Sequence, residues 1–449
     1  MKLKIAEHLW NPLCAELLAR QDVETAGLLF GEAVATLAGT VVAMRDAFAL
    51  PESAYRIRRH DQLSLDPIAL NRLMRPARER GESVFTIHTH PGAMAPWFSA
   101  ADDAGDARLM PSLRCQIPGV PHGSLVLVND GSVIARAFGE SNVPVEVPLT
   151  VVGRVLSAND APAHEEPWFS RQELALGARG QGQLRRLRVA VVGLGGIGSM
   201  VSLQLAHLGV GSLVLIDGDG VEPSNLSRIA GASKDDVGRT YKVDVAARYA
   251  RSVGLVEQIE THREFLSGQH APLLAGCDVI LCCVDQHTPR ALLNRLAYRF
   301  LIPVVDLGTA FRVDAGGKLI GDAGRVVVLG PGKPCLACWG HLDSHALRIE
   351  TLSPEQRESE IAAGYIQGAM EAQPSVVAFN TMVAGAGVAE VLRLSTAFAG
   401  TESPPLRLAF SFADGTVRRN TVVRNERCAI CGSDAAAADN EEAPFSATG

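Results

Sequence analysis

Residues 187–199 read Leu-Arg-Val-Ala-Val-Val-Gly-Leu-Gly-Gly-Ile-Gly-Ser. The apolar, β-branched run Leu187–Val192 predicts a buried strand. Four glycines follow at Gly193, Gly195, Gly196 and Gly198, and Ser199–Leu208 then has helical character. Glycines in that position let backbone N–H groups approach a phosphate at a helix N-terminus. A second strand is predicted over Ser212–Ile216, and it ends on Asp217, nineteen residues beyond Gly198. A carboxylate there meets ribose hydroxyls. This is a βαβ unit, and further strands at Val279–Val284 and Pro303–Leu307 extend a mainly parallel sheet. Up to this point a nicotinamide-dependent oxidoreductase fits equally well.

The next polar runs separate the readings. They are Asp217-Gly-Asp219-Gly-Val-Glu-Pro-Ser-Asn225-Leu-Ser-Arg228, then Asp236-Val-Gly-Arg-Thr-Tyr-Lys242, then Cys282-Cys-Val-Asp285 at a third strand end. Arg228 and Lys242 suit a triphosphate and its departing pyrophosphate, while Asp285 and Asp219 suit magnesium. A nicotinamide site has little use for this set. From about Phe169 to Cys431 the sequence resembles the ubiquitin-activating superfamily, the ThiF/MoeB type in particular, through the pattern D-x-D-x-V-x-x-S-N-L-x-R. The resemblance implies a Rossmann-like α/β domain that binds Mg-ATP and adenylates a C-terminal glycine carboxylate. It assigns Asn225, Arg228 and Lys242 to phosphates, Asp285 to magnesium and Asp217 to ribose. It also implies a homodimer, because Arg171 in Ser170-Arg171-Gln172 matches an arginine that reaches into the partner subunit's ATP site. Gly238-Arg-Thr-Tyr-Lys242 carries one residue more than the family's Gly-Arg-x-Lys.

Working outward, the chain has 449 residues, 47% of them apolar and 20% charged, which describes a globular protein. The net charge of −7 argues against a nucleic-acid binder working through a general basic surface. No uninterrupted apolar stretch is expected to span a bilayer, and the start, Met1 to Pro12, lacks an apolar signal core, so a soluble cytoplasmic protein is expected. The expected plan is a domain over 1–150, a linker over 151–167 centred on the polar Ser157–Pro167, a domain over 168–433, and a disordered acidic tail over 434–449.

The first domain reads as α+β. Strands are predicted at Ala26–Phe30, Thr40–Met44, Ser83–Ile87 and Ser124–Val128, with a turn at Asn129-Asp130-Gly131. Asp66–Arg80 reads as one helix with Asp66 as cap, Pro67 at its first position and Gly81 after its end. His88 and His90 leave a strand on the same side, and Asp102 follows a short loop later. Three protein ligands plus water form the open arrangement of a catalytic zinc, and a carboxylate must then move the proton. Glu24 is the candidate, and Ser99 could bond a developing oxyanion. Glu24, His88-Thr-His90-Pro, seven residues and Ser99-x-x-Asp102 together resemble the JAMM (MPN+) metalloprotease family. That resemblance implies a cytidine-deaminase-like α+β fold and a zinc peptidase that cuts after the C-terminal Gly-Gly of ubiquitin-like proteins. His88, His90 and Asp102 would be ligands, Glu24 the acid/base and Ser99 the oxyanion donor, with Asp103 the alternative to Asp102.

Cys335/Cys338 and Cys428/Cys431 form two C-x-x-C pairs, a donor set for a closed structural zinc. The other five, Cys14, Cys115, Cys277, Cys282 and Cys283, lie among apolar neighbours, and Trp339 to Pro374 contains no cysteine. An enzyme that stops at the adenylate is expected, passing it to a conjugating enzyme or sulfur donor. The partner is a ubiquitin-like or sulfur-carrier protein ending in Gly-Gly. The rivals are a thioester-forming activating enzyme, an oxidoreductase, and a non-catalytic scaffold.

Overall fold

A computed structural model describes residues 1–140, 142–153, 156–158, 166–314, 319–363, 365–366, 374–396, 398–400 and 407–432. The expected tail over 434–449 lies outside the described residues, as does most of the linker core. The chain forms two compact units, 1–160 and 161–449.

In the first unit β1 (Lys2–Ala6) leads into α1 (Glu7–Leu18), then β2 (Ala26–Thr36) and β3 (Gly39–Ala49) form a long hairpin. A separate small hairpin, β4 (Tyr55–Arg58) and β5 (Leu63–Leu65), precedes α2 (Pro67–Leu73) and α3 (Arg75–Arg80). Next come β6 (Ser83–Thr89), α4 (Ala100–Gln116), β7 (His122–Leu127), β8 (Val133–Phe138), β9 (Val145–Glu146), β10 (Leu149–Val152) and β11 (Leu156–Ala158). The sheet order is β11-β10-β1-β3-β2-β6-β7-β8-β9, with β6 and β7 parallel across the α4 crossover. Both faces are covered. Leu29, Phe85 and Ile87 pack with Trp10, Leu13 and Leu17 of α1, whereas Leu28, Phe30 and Val84 pack with Leu70, Met74, Met110 and Leu113. This explains why Leu28-Leu29-Phe30 is continuously apolar. Alternation along β6 then places His88 on the Val84 side, towards α4.

The single helix expected over Asp66–Arg80 is two. Asp66 does cap the first, accepting from the amides of Ile68 and Ala69. The break falls at Met74, because Pro76 offers no N–H and opens its own short helix at the second position.

The second unit starts with α5 (Ser170–Arg186), β12 (Arg188–Val192), α6 (Gly196–Leu208), β13 (Ser212–Ile216), α7 (Lys242–Val253) and β14 (Gln258–His262). It continues through α8 (Ala271–Ala275), β15 (Val279–Cys282), α9 (His287–Arg299), β16 (Val304–Val313) and β17 (Leu319–Leu329). The crossover segment carries α10 (Ser344–Glu350) and α11 (Pro354–Ala362), followed by α12 (Val377–Thr396), β18 (Arg407–Ser411) and β19 (Thr416–Asn420). Strands β14-β13-β12-β15-β16 run parallel, and β17, β18 and β19 extend the sheet antiparallel. The order reverses at β12, between β13 and β15, so the glycine turn sits where an open α/β sheet binds ligand.

The 20-residue α12, although interrupted by Asn380, Thr381, Glu390 and Arg393, is long and apolar enough to cross a membrane by length and composition alone. Here it packs on α6 and β16, burying Val383, Ala384, Val388 and Val391 together with polar Asn380 and Glu390.

Candidate functional sites

β6 and α4 build the first site. Ser99 and Asp102 form a capping box at the start of α4, which fixes where Asp102 points. His88 Nε2 lies 2.9 Å from Asp102 Oδ1, His90 Nε2 lies 3.4 Å from Asp102 Oδ2, and the two Nε2 atoms are 3.1 Å apart. These separations, two of them to different oxygens of one carboxylate, are close to the edges of a tetrahedron with bonds of about 2.0–2.1 Å, the zinc distances for nitrogen and oxygen ligands. The donor set therefore fits a catalytic zinc. Burial would raise the Asp102 pKa, but hydrogen bonds from His88 and His90 override it and hold the carboxyl well below the usual range. Asp103 points elsewhere, to Arg136.

Glu24 precedes β2. The antiparallel register pairs Ala26 with His88, so continuing it by two residues sets Glu24 opposite His90. Thr25 and Thr89 lock that register, with Thr25 N donating to Thr89 Oγ1 at 2.9 Å and Thr89 N to Thr25 O at 2.9 Å. Burial raises the Glu24 pKa, against the opposing pull of His88 and His90. The small hairpin fixes the Glu24 backbone: its N–H donates to Arg59 O at 2.8 Å and its carbonyl accepts from Arg58 Nε at 3.2 Å. Tyr55 also bonds both backbone groups of Ala26. Arg56, Arg58, Arg59 and His60 form a short basic run at this hairpin. Arg56 pairs with Asp66 and Arg58 with Glu52, and the hairpin braces Glu24. Ser99 donates its hydroxyl to Asp102 Oδ2 at 2.8 Å. Trp97 stands edge-on to His90 with centroids 4.9 Å apart.

The second site lies at the β12 end. Gly193 has φ +86°, and a Cβ there would come within 3.0 Å of the Cys283 backbone. A Cβ on Gly198 would sit 1.8 Å from Gly193 O. Asp217 braces this turn: Oδ2 accepts from Leu194 N at 2.6 Å and Oδ1 from Asp219 N at 2.8 Å. Burial raises the Asp217 pKa, and nearby Lys242 opposes that. Lys242 Nζ pairs with Asp219 Oδ2 at 2.6 Å, which joins the start of α7 to the loop after β13. Arg228 is half-buried, donating to Ser224 O at 3.1 Å, and its Cδ is among the nearest atoms to a Cβ built on Gly196. Asn225 is buried and closes a capping box with Glu222. Asp285 is exposed just beyond β15, and Arg171 is exposed in the first turn of α5. Gly195 faces open space.

Sequence reasoning missed Asn380. It is 1% exposed on α12, and its Nδ2 is where a Gly196 Cβ would fall, at 2.2 Å. An asparagine near the start of a mostly apolar helix was the available signal.

The four cysteines of the paired motifs converge. Their Sγ separations are 3.8 Å for Cys335–Cys338, 3.6 Å for Cys335–Cys428 and 3.5 Å for Cys338–Cys431. Tetrahedral Zn–S bonds of about 2.3 Å give edges close to these values, so the set fits a structural zinc. Burial opposes ionisation of Cys428, but the amides of Cys431 and Ile430 and the neighbouring thiols bring its pKa down to about 7. Stripping zinc from this set is expected to lower the melting temperature of the second unit by at least about 5 °C, since each kcal/mol shifts such a domain by about 2–4 °C. Differential scanning calorimetry with and without a zinc chelator measures it, and an unchanged transition rejects the structural role.

Residues 169–430 match the ThiF family, and residues 6–139 match the prokaryotic homologs of the JAB domain. The chain belongs to the ThiF family, with a JAB-type domain ahead of the ThiF domain. It is similar to "Adenylyltransferase and sulfurtransferase uba4" of Aspergillus fumigatus (strain CBS 144.89 / FGSC A1163 / CEA10), 31% identical over 305 residues, 65% of this chain and 58% of the relative. The protein of the same name from Aspergillus clavatus is 30% identical over 333 residues, 72% of this chain and 64% of the relative. The matches thus span less than two thirds of those relatives' own length. Among solved structures, E. coli MccB with MccA-N7isoASN aligns at TM-score 0.48 and 20% identity, over 60% of this chain and 75% of that one.

Proposed function

We propose that the chain is a two-centre cytoplasmic enzyme acting on one small ubiquitin-like or sulfur-carrier protein. One centre hydrolyses the bond after the carrier's C-terminal Gly-Gly, and the other adenylates the freed glycine carboxylate with ATP. What carries the reading is the presence, in one chain, of the His88/His90/Asp102 triangle beside half-buried Glu24 and of a glycine turn braced by buried Asp217. The relatives' printed name, adenylyltransferase and sulfurtransferase, supports the second half.

In the first centre His88, His90 and Asp102 would hold zinc, which supplies Lewis acidity towards a carbonyl and a water. Glu24 takes a proton from the attacking water and returns it to the leaving amine. Its raised pKa suits both directions of transfer. Ser99 orients Asp102 through the capping box, and its hydroxyl would have to leave Asp102 Oδ2 to donate to the developing oxyanion.

In the second centre a carboxylate oxygen of the carrier's last glycine attacks the ATP α-phosphorus. The bond to the β-phosphate bridging oxygen breaks, giving an acyl-adenylate and pyrophosphate. Backbone amides of the 193–198 turn, Arg228 and Lys242 neutralise phosphate charge. Asp285 and Asp219 would hold magnesium and Asp217 the ribose, and Arg171 of one protomer would reach the site of its partner in a homodimer. Lys242 would have to release Asp219 to engage phosphate.

The adenylate passes to a sulfur donor or conjugating enzyme without a thioester on this chain. Burial pushes the Cys14 and Cys282 thiols up to about 12, and Cys283 is raised too. At pH 8 a thiol of pKa 12 is ionised to about one part in ten thousand. Brief iodoacetamide treatment of the zinc-loaded protein at pH 8 is therefore expected to modify exposed Cys115 first and leave Cys14, Cys282 and Cys283 unmodified. Peptide mass spectrometry reads the result. Rapid labelling of Cys283, or a reducible enzyme–carrier adduct, contradicts it.

The direct test is intact mass spectrometry of a Gly-Gly carrier precursor incubated with the protein, zinc and magnesium. Tail loss without ATP and an ATP-dependent AMP adduct are expected. No change in either condition rejects the reading.

A further inference from the structure

We infer that Arg136 is a positioning residue for the Asp102 ligand, holding the first turn of α4 and the loop before it in register with His88 and His90. This deepens the metal-centre reading above and rests on it.

Asp102, Asp103 and Asp106 share the first turns of α4 but project in different directions. Asp102 turns to the histidines, while Asp103 and Asp106 turn to the sheet. There they meet one guanidinium from β8. Arg136 is 6% exposed, and its Nη1 reaches Asp103 Oδ1 at 2.5 Å. Its Nη2 and Nε reach Asp106 Oδ2 at 2.7 and 2.9 Å. Ser124 on β7, opposite Arg136 in the strand register, donates to the same Asp106 oxygen at 2.5 Å. The flat face of Arg136 lies 3.8 Å from the Phe98 ring centroid, and Phe98 immediately precedes the cap residue Ser99.

One buried side chain thus grips the residues on both sides of the Ser99–Asp102 capping box. Sheet neighbours β6 and β7 are hydrogen-bonded directly, so the histidines share a rigid frame with Ser124 and β8. The cap fixes Asp102 relative to α4, and Arg136 fixes α4 relative to that frame. A lysine could not replace it, because only a planar fork can engage Asp103 and Asp106 together while stacking on Phe98. Arg136 touches neither donor triangle nor substrate, so its effect must appear in how well three ligands are presented to a metal.

The test is zinc affinity of the full chain, by competition with a chromogenic chelator, together with the melting temperature. The Cys335/Cys338/Cys428/Cys431 set accounts for a separate zinc equivalent. Arg136→Lys is the direct variant. Asp103→Asn is the second, because the Asp103 side chain is 63% exposed and its loss leaves the core intact. Each is expected to weaken the second zinc equivalent by about tenfold, the low end of the effect of removing a group bonded directly to a metal ligand, because Arg136 acts one step further out. Asp103→Glu is expected to recover most of the loss, and the metal-free melting temperature of Asp103→Asn to stay at the parent value. If both variants bind within twofold of the parent while His88→Ala loses that equivalent, the inference is overturned and the metal centre stands. If the parent binds only one equivalent and His88→Ala changes nothing, the centre itself is rejected, and the inference with it.

Discussion

Glu24→Gln is expected to slow cleavage of a Gly-Gly carrier precursor by about 10²–10⁴-fold, the range general acid–base catalysis supplies. Glutamine keeps the shape and the backbone bonds to Arg59 and Arg58, so the hairpin still braces the segment. What it loses is a carboxylate that can take and return a proton. Glu24 is not among the three converging donors, so zinc uptake should stay within twofold of the parent. ATP–pyrophosphate exchange should also be unchanged, because the Gly193 turn belongs to the other compact unit. Discontinuous proteolysis assays resolved by intact mass, run beside exchange assays on the same preparation, separate the two activities. Residual cleavage within threefold of the parent would falsify Glu24 as the acid/base. Loss of zinc uptake would instead show a ligand role.

What could be read from sequence was whatever short-range chemistry announces. Strand β12, its glycine turn and Asp217 fall in one contiguous stretch, and the fold keeps them together by bonds between near neighbours, Leu194 to Asp217 and Asp219 to Asp217. The ThiF and JAB-type architecture was equally legible, since spaced motifs carried both. The C-x-x-C pairs announced a metal set by residue type alone, and their thiols do converge. What could not be read depends on distant pairing. Nothing near Glu24 in the sequence shows that Arg58 and Arg59 hold its backbone while Tyr55 holds that of Ala26. Asn380 reaches the phosphate turn only because α12 packs on α6. Arg136 gains its role only because β8 pairs with β7 and sets it under α4. The antiparallel extension β17-β18-β19 was missed because its strands alternate weakly and are interrupted by loops and helices. The broken helix at Met74 turned on Pro76, inside a segment whose cap, first-position proline and closing glycine mark only its two ends.

The glycines of the turn offer the sharpest separation between folding and binding. Gly198→Ala is expected to abolish ATP–pyrophosphate exchange and to destabilise the second unit severely. The new Cβ would lie 1.8 Å from Gly193 O and 3.3 Å from the Cys283 side chain. The closer contact is backbone, so no rotamer change relieves it, and either β12 or the first turn of α6 must move. Overlap of that kind in a packed core belongs to the large-effect class of single substitutions, about 4 kcal/mol or more. Gly195→Ala is the informative partner. Nothing lies within 4 Å of its would-be Cβ, and its φ of −71° is ordinary for alanine. The unit should therefore melt at the parent temperature. Yet open space before a helix N-terminus is where a phosphate would approach, so the added methyl should weaken ATP binding by at least about tenfold. Calorimetry and ATP titration of the two variants give opposite patterns: unfolding first for Gly198→Ala, lost affinity in a folded protein for Gly195→Ala. Parent-like ATP affinity in folded Gly195→Ala would place the phosphates away from this turn. The nucleotide would then have to sit against the Arg228–Lys242 loops alone, without help from the α6 dipole.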